Sequence, residues 1–386
     1  MTALKRADAL KAQMIAWRHA LHTRPETAFE EFETADFIAG QLENFGVTVS
    51  RGLATTGVVG VLKNGDGDMI GLRADMDALN IQELNNFSHC SKIDGKMHAC
   101  GHDGHTAMLL GAAKILAETK NFSGTVVFIF QPAEENEGGA RVMVKEGLFD
   151  QFPVKGVYGL HNWPSMPAGT MAVGPGAMMA AFATFEIVVT GRSVHAAMPH
   201  LGTDPVVAAA QIVSALQTVS SRETDPQDAC VLTVTQIHGG DTWNVIPDEV
   251  VLRGTTRWFN PELGSRLEER IHEIATGIGG ALGCAVETVY SQRYPATINT
   301  PETARVCGDV MVDLIGEERT ERNPAPSMGA EDFAFMLQQR PGSYVWLGTG
   351  TDPDCPKLHN SHFDFNDDML ALGAAYWVRL TEKLLG

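Results

Sequence analysis

Gly124-Thr-Val-Val-Phe-Ile-Phe130 is an uninterrupted run of buried-strand length, and it ends in Gln131-Pro-Ala-Glu134-Glu135. It shows no polar alternation, so both of its faces are covered, as in the parallel sheets of α/β proteins. The paired carboxylates fall at the carboxyl end of that strand, where such sheets place their sites. Upstream, Gly57-Val-Val-Gly-Val-Leu62 and Met69-Ile-Gly-Leu-Arg73 read as strands, and the second runs into Asp75 and Asp77. Downstream, Gly156-Val-Tyr-Gly-Leu160 delivers His161. Three strands thus each carry ionisable groups at their ends.

Between the first and second of these strand ends lies Met97-His-Ala-Cys-Gly-His-Asp-Gly-His105. Cys100 and His102 can converge on one point only through a tight turn, which Gly101 and Gly104 allow. Thiolate and imidazole both suit borderline-soft divalent cations. A polar loop with ordinary hydrogen bonds is the plainer alternative, but the density of ligands and the apolar helix from Thr106 to Ala117 favour a metal site.

At 386 residues the chain exceeds the usual size of one core, so two domains are expected. Apolar residues make up 44% and charged residues 20%, a globular balance. The 29 basic and 47 acidic side chains leave −18, which argues against nucleic acid or an anionic membrane as partner. No apolar run reaches membrane length. Lys5, Arg6, Asp8 and Lys11 break up any signal core, so a cytoplasmic protein is expected. The six scattered cysteines suit core thiols or ligands, and Cys230 and Cys284 read as the former.

Residues 4–22 have helical apolar spacing, as do Phe32 to Leu42. From about residue 182 the pattern changes. A half-exposed strand (Ala183 to Thr190), a helix (204–222, with Val206 on its apolar face), two strands (229–237 and 249–257), a helix (261–282) and a strand (285–291) follow in turn. That order is the split-βαβ, or ferredoxin-like, arrangement. The expectation is an α/β protein: a mixed-sheet domain (1–181 and 293–386) that carries the candidate site, with a second domain (182–292) inserted into it. A last amphipathic helix closes the chain.

The candidate ligands are Cys100, His102, Glu135, His161 and His362. They suffice for two divalent ions that activate a water between them. Glu134 is the natural proton shuttle, as general base and then acid. Asp77 reads as an outer group that orients a ligand imidazole. Asp75 reads equally well as that or as a strand-end turn. His98 and His105 read as packing or supporting groups, and a structural zinc site of His89, Cys90, His98 and Cys100 is a weaker alternative because no Cys-x-x-Cys pair accompanies them. In the inserted segment, His195 can stabilise an oxyanion, and Asn244 and Arg257 can hold a substrate carboxylate.

Leu72-Arg-Ala-Asp-Met-Asp-Ala-Leu79, the Met97–His105 motif, Phe130-Gln-Pro-Ala-Glu-Glu135, Gly159-Leu-His-Asn-Trp163, His195-Ala-Ala-Met-Pro-His200 and Asn360-Ser-His-Phe-Asp364 together resemble the M20 metallopeptidase family. The likeness is to its amidohydrolase branch of hippurate hydrolases, N-acyl-amino-acid amidohydrolases and plant auxin-conjugate hydrolases, and it runs from about residue 17 to the C-terminus. It implies a zinc-peptidase-like catalytic domain with a lid that often mediates dimerisation. It implies Cys100, His102, Glu135, His161 and His362 as metal ligands and Glu134 as acid/base. It also implies that His195 reaches the site from the lid, and that Asn244 and Arg257 contact the substrate carboxylate. Cys100 stands where most of the wider family has a bridging aspartate, and Asp75 where it has a ligand histidine.

The expected activity is hydrolysis of small N-acyl amino acids with two Zn or Mn ions per subunit, Co or Ni being the alternatives. The expected assembly is a homodimer or homotetramer. A dipeptidase, or a deacetylase of the N-acetyl-diaminopimelate type, is the rival on the same scaffold. A non-catalytic binding protein is the more distant one, since no ligand and no base is missing.

Overall fold

The computed structural model describes residues 2–135 and 137–386. The chain divides into two compact units. Unit 1 takes everything up to Met178, with Thr297–Ala325 and Asp332–Gly386; unit 2 takes Met179–Ala296 and Pro326–Glu331. Unit 1 opens with α1 (Ala3–His22), α2 (Phe32–Asn44), β1 (Thr48–Leu53), β2 (Gly57–Asn64) and β3 (Met69–Asp75). It continues through α3 (His102–Thr119), β4 (Gly124–Gln131), α4 (Gly139–Lys145), α5 (Leu148–Gln151), β5 (Gly156–Pro167), β6 (Met171–Ala172) and β7 (Gly176–Met179). Unit 2 contains β8 (Ala181–Thr190), β9 (Val194–His195), α6 (Pro205–Thr218), β10 (Cys230–His238), β11 (Val245–Ile246), β12 (Glu249–Trp258), α7 (Pro261–Ala281) and β13 (Ala285–Tyr294). Unit 1 resumes with β14 (Thr297–Asn299), α8 (Pro301–Ile315), β15 (Thr320–Glu321), α9 (Ala334–Leu337), β16 (Gly342–Gly350) and α10 (Leu370–Leu385).

The main sheet has the order β1-β2-β4-β3-β5-β16-β6-β15. It is mixed: β3 runs parallel to β4 and β5, and β5 to β16, whereas β2 is antiparallel to β4. Every residue of β4 is buried, as its unbroken apolar run requires. Register then does the work of assembly. Asp75 pairs with Gln131, and Arg73 pairs with Gly159. His161, two residues past Gly159, is therefore level with Asp75, and Trp346 of β16 faces it across the next ladder. The ends of β3 and β4 and the middle of β5 thus meet along one edge of the sheet. β5 is longer than its sequence suggested, so His161 lies inside it, but beyond its pairing with β3.

Helices α1, α3 and α10 pack against one another over this sheet. Met14, Trp17, Leu72, Leu109, Phe128 and Trp377 belong to one buried cluster. Truncating such a residue, Leu109→Ala for example, costs about 2–5 kcal/mol. α10 has an amphipathic spacing, yet it is buried nearly all round because α1, α3 and α8 all touch it.

Unit 2 has its own core. Its four-stranded sheet, in the order β10-β12-β8-β13, is antiparallel throughout. The alternating residues Ala183, Phe185, Ile187 and Val189 face Ile212, Leu216, Leu267 and Ile271 of α6 and α7. Asn260 caps α7 through the Glu262 N–H, with Pro261 in the first turn. The sequence placed Val206 on the buried face of a helix over 204–222. Instead α6 ends at Thr218 in a π-turn, Val219–Glu223, and Val206 is 47% exposed. The buried stripe of α6 is Pro205, Ala208, Ala209, Ile212 and Leu216, which leaves Val206 to one side of it, in a first turn capped by Asp204.

Candidate active site

The Cys100–His102 turn forms as glycine allows. Gly101 has φ +89°, and a Cβ there would come within 2.5 Å of the Asn162 side chain. Asn162 Nδ2 donates to the Cys100 carbonyl at 2.6 Å, which ties the turn to β5. His102 then opens α3, and its ring is fully buried.

Each imidazole here is oriented by a neighbour of fixed role. His102 Nδ1 donates to Asp77 Oδ1 at 3.1 Å, which leaves its Nε2 buried and without a hydrogen-bond partner. His161 Nδ1 donates to the Asn162 carbonyl at 2.7 Å, which turns its Nε2 toward Cys100 Sγ at 3.4 Å. Asp77 also accepts the Glu135 backbone N–H at 3.0 Å, so one carboxylate steers two candidate ligands. His105 is a support: its Nε2 accepts from the Asn162 backbone N–H at 2.9 Å, and its Nδ1 donates to Asp75 at 2.5 Å. Asp75 is thereby engaged with His105 and Arg73 and stands 3.6 Å from His102 Nε2.

Glu135 Oε1 lies 4.0 Å from His102 Nε2 and 3.1 Å from His359 Nε2, the latter too far off line for a hydrogen bond. Glu134 is buried beside it, and its Oε1 accepts the Asp332 backbone N–H at 3.2 Å. Ligand atoms of Cys100, Glu135 and His359 lie within reach of one another, as do those of His102, Glu134 and Glu135.

The structure does not bring His362 into this set. Its ring is exposed, with Ser361 Oγ at 3.4 Å. His359, three residues earlier, takes the place. Its φ of +64° swings the chain back, and its N–H bonds the Ala99 carbonyl at 2.8 Å, beside Cys100. Spacing in Leu358-His-Asn-Ser-His362 offers both histidines equally, and only the left-handed turn separates them. Among the described residues, no metal-competent group contains His89, Cys90 or His98. His89 instead stacks on His19 and Phe87.

The electrostatics fit a cation. Burial pushes the His102 ring down, but Asp75, Asp77 and Glu135 more than offset this and hold its pKa at about 10. Burial, then Glu135, Glu134 and Asp75, push the Cys100 thiol well up. Burial and the neighbouring rings of His105 and His102 push His161 well down, so its Nε2 offers a lone pair. Orphaned Nε2 and carboxylate oxygens, a thiol and surplus negative charge suit a divalent cation that accepts nitrogen, sulfur and oxygen.

One brace could not be read from periodicity. Arg18 is fully buried on α1; its Nη1 donates to Asp103 at 3.1 Å and to Asp364 at 2.9 Å, and its Nε to Asp367 at 2.5 Å. His22 Nδ1 bonds Asp103 at 2.8 Å, and its Nε2 bonds Glu83 at 3.3 Å. Burial opposes a charged ring, but Asp103 and Glu83 hold the His22 pKa at about 9. These contacts join the start of α3, beside His102, to the segment that follows His359.

In unit 2, His195 and Asn244 are neighbours, because His195 pairs with Val245. His195 is exposed, and its Nδ1 accepts from the Ala197 N–H at 3.0 Å. Arg257 is not with them. It lies toward the far end of β12, stacked 4.3 Å over the Phe182 ring. Eight residues of strand separate Glu249, at the end near Asn244, from Arg257, or roughly 26 Å. One chain's unit 2 therefore does not join Asn244 and Arg257 into a single carboxylate clamp.

Residues 71–383 match the family described as peptidase family M20/M25/M40. The chain is 40% identical to a hippurate hydrolase from Campylobacter jejuni, over 95% of each chain. It is 41% identical to the IAA-amino acid hydrolase ILR1-like 2 of Arabidopsis thaliana, over 96% of this chain and 85% of the relative. The crystal structure of the Bacillus subtilis YXEP protein, described as a dinuclear metal-binding peptidase of the M20 family, superposes with a TM-score of 0.85 at 34% identity, over 98% of this chain and 99% of that one.

Proposed function

Since the chain belongs to peptidase family M20/M25/M40, we propose that it is a metal-dependent amidohydrolase that cleaves small N-acyl amino acids to a carboxylate and a free amino acid. The observation that carries this is the convergence of Cys100, His102, Glu135, His161 and His359 beside the buried carboxylate of Glu134. The similarity to a hippurate hydrolase and to an IAA-amino acid hydrolase supports the substrate class.

Those five residues would hold two divalent ions, Zn or Mn, with Co or Ni as alternatives. When bound, such a centre supplies an acidified water and a polarised carbonyl. The remaining work falls to the chain. Asp77 fixes the His102 tautomer and the Glu135 backbone, which keeps the ligand geometry rigid. Glu134 takes the proton of the attacking water and returns it to the leaving nitrogen. His195, whose Nδ1 is already engaged, has Nε2–H to offer a developing oxyanion.

The test is a substrate panel of benzoyl, acetyl and indole-acetyl amino acids against dipeptides and N-acetyl-diaminopimelate, with wild type and Glu134→Gln. Turnover of N-acyl amino acids by wild type is expected, with a loss of at least about 100-fold in Glu134→Gln at unchanged metal content. A fully active Glu134→Gln overturns the mechanism; a preference for dipeptides overturns the substrate class.

A further inference from the structure

Asp332 sits in none of the motifs assigned above, yet it is fully buried and bonded on every side. Arg73 Nη2 donates to its Oδ1 at 3.2 Å. Gln131 Nε2 reaches both of its oxygens, at 2.8 and 2.9 Å. The Ala140 backbone N–H donates to Oδ2 at 2.9 Å. These donors come from the ends of β3 and β4 and from the start of α4. The anchored residue then turns its own backbone N–H onto Glu134 Oε1.

The arrangement is asymmetric in an informative way. A buried carboxylate with several converging donors is held in one place. Glu134 follows Ala133, which has a φ of +54° and whose N–H is tied to Glu31 Oε1 at 3.0 Å. Glu134 is therefore fixed from its own turn and also from Asp332, about 200 residues away in sequence. Arg73, which clamps Asp332, clamps Asp75 as well, so one guanidinium links the support of Glu134 to the support of His105.

We propose that Asp332 is a positioning residue for the proton shuttle: its side chain is locked by Arg73, Gln131 and Ala140 so that its main-chain N–H holds the Glu134 carboxylate in line for proton transfer. This rests on Glu134 being the general base. The role predicts a particular kinetic split. Proton transfer depends steeply on heavy-atom placement, whereas ground-state binding of substrate does not use this N–H.

The experiment compares wild type, Glu134→Gln, Asp332→Asn and Gln131→Met for kcat, KM, bound metal and melting temperature. In Asp332→Asn an amide N–H₂ meets donors that expect an oxygen, and the anchor shifts. The expected result is a fall in kcat of roughly 10- to 100-fold, with KM within about twofold and metal content unchanged. Gln131→Met, nearly isosteric, removes one pair of donors and gives a smaller loss of the same kind. Should Asp332→Asn fail to fold, Gln131→Met carries the test alone. Unchanged kcat in the folded variants, or a kcat loss that comes with raised KM or lost metal, overturns the proposal and leaves Asp332 a structural residue. An active wild type with an inactive Glu134→Gln keeps the amidohydrolase assignment intact in that case. A wild type that hydrolyses nothing in the panel overturns both.

Discussion

The candidate groups of unit 1 and those of unit 2 are built by opposite means. In unit 1 Cys100, His102 and His161 are buried, the rings of His102 and His161 each have their Nδ1 committed, and the steering groups Asp75, Asp77 and Asn162 are themselves held; His359 is the exposed member of the set. In unit 2 His195 and Asn244 are exposed on a two-stranded ladder, and Arg257 stands at the far end of the sheet. The difference teaches that a cation site must be organised before its cation arrives, because uncompensated buried donors tolerate little misplacement. A group that only meets substrate can wait on a loop.

The sharpest way to break the comparison is at the two histidines near the C-terminus. His359→Ala is expected to lose bound metal and to lower kcat/KM by more than about 100-fold, beyond the effect of an outer partner. His362→Ala is expected to stay within about threefold, since that ring is exposed and belongs to none of the candidate ligand groups among the described residues. Metal analysis and steady-state rates decide it; the reverse ranking would return His362 to the ligand set. Next comes His195→Ala. A loss of about 100-fold in kcat with full metal content would mark a transition-state donor outside the metal centre. A drop in metal content would erase the contrast between the units.

Asp77→Asn tests the steering role. A loss of roughly 10- to 100-fold in metal affinity is expected, read by competition with a chelating dye. Retained affinity would make Asp77 a turn residue. The smallest effect concerns the brace behind the centre. His22 has a folded pKa of about 9, above its unfolded value, with Asp103, Glu83 and the Arg18 charge around it. Its stabilisation is full below about pH 6.5 and fades as pH rises through 9, by a few kcal/mol at most. Urea melts at pH 6 and pH 9 should differ in wild type and converge in His22→Gln. Equal slopes in the two proteins would place the titration elsewhere.

Much of this was legible in the sequence for a physical reason. A buried strand cannot hide its apolar run, and a metal turn cannot dispense with its glycines. Gly124–Phe130, the end of Met69–Asp75 and the Cys100–His102 turn are therefore visible without coordinates. The βαββαβ order of unit 2 is visible because period 2 and period 3.6 alternate cleanly there. What stayed hidden was set by tertiary partners. His359 and His362 look alike until a left-handed turn chooses between them. Arg18 and His22 stand outside the apolar spacing of α1, yet they are buried, and Asp103, Asp364 and Asp367 meet them. The membership of Pro326–Glu331 in unit 2 has no compositional mark. Its link is main-chain, through the Ala180 N–H to the Ser327 and Gly329 carbonyls. Among the described residues no helix is long and apolar enough to cross a membrane.

The position of His359 has a consequence for how the molecule is made. Four of the five proposed ligands have left the ribosome by residue 161, while the fifth follows roughly 200 residues later. At about 5–20 residues per second that interval lasts roughly 10–40 s. Throughout it a nascent chain carries a thiol, two imidazoles and a carboxylate without the loop that completes them, and all of unit 2 is synthesised in the meantime. Truncation between residues 161 and 359 thus yields a polypeptide with most of its coordinating groups and an unfinished centre.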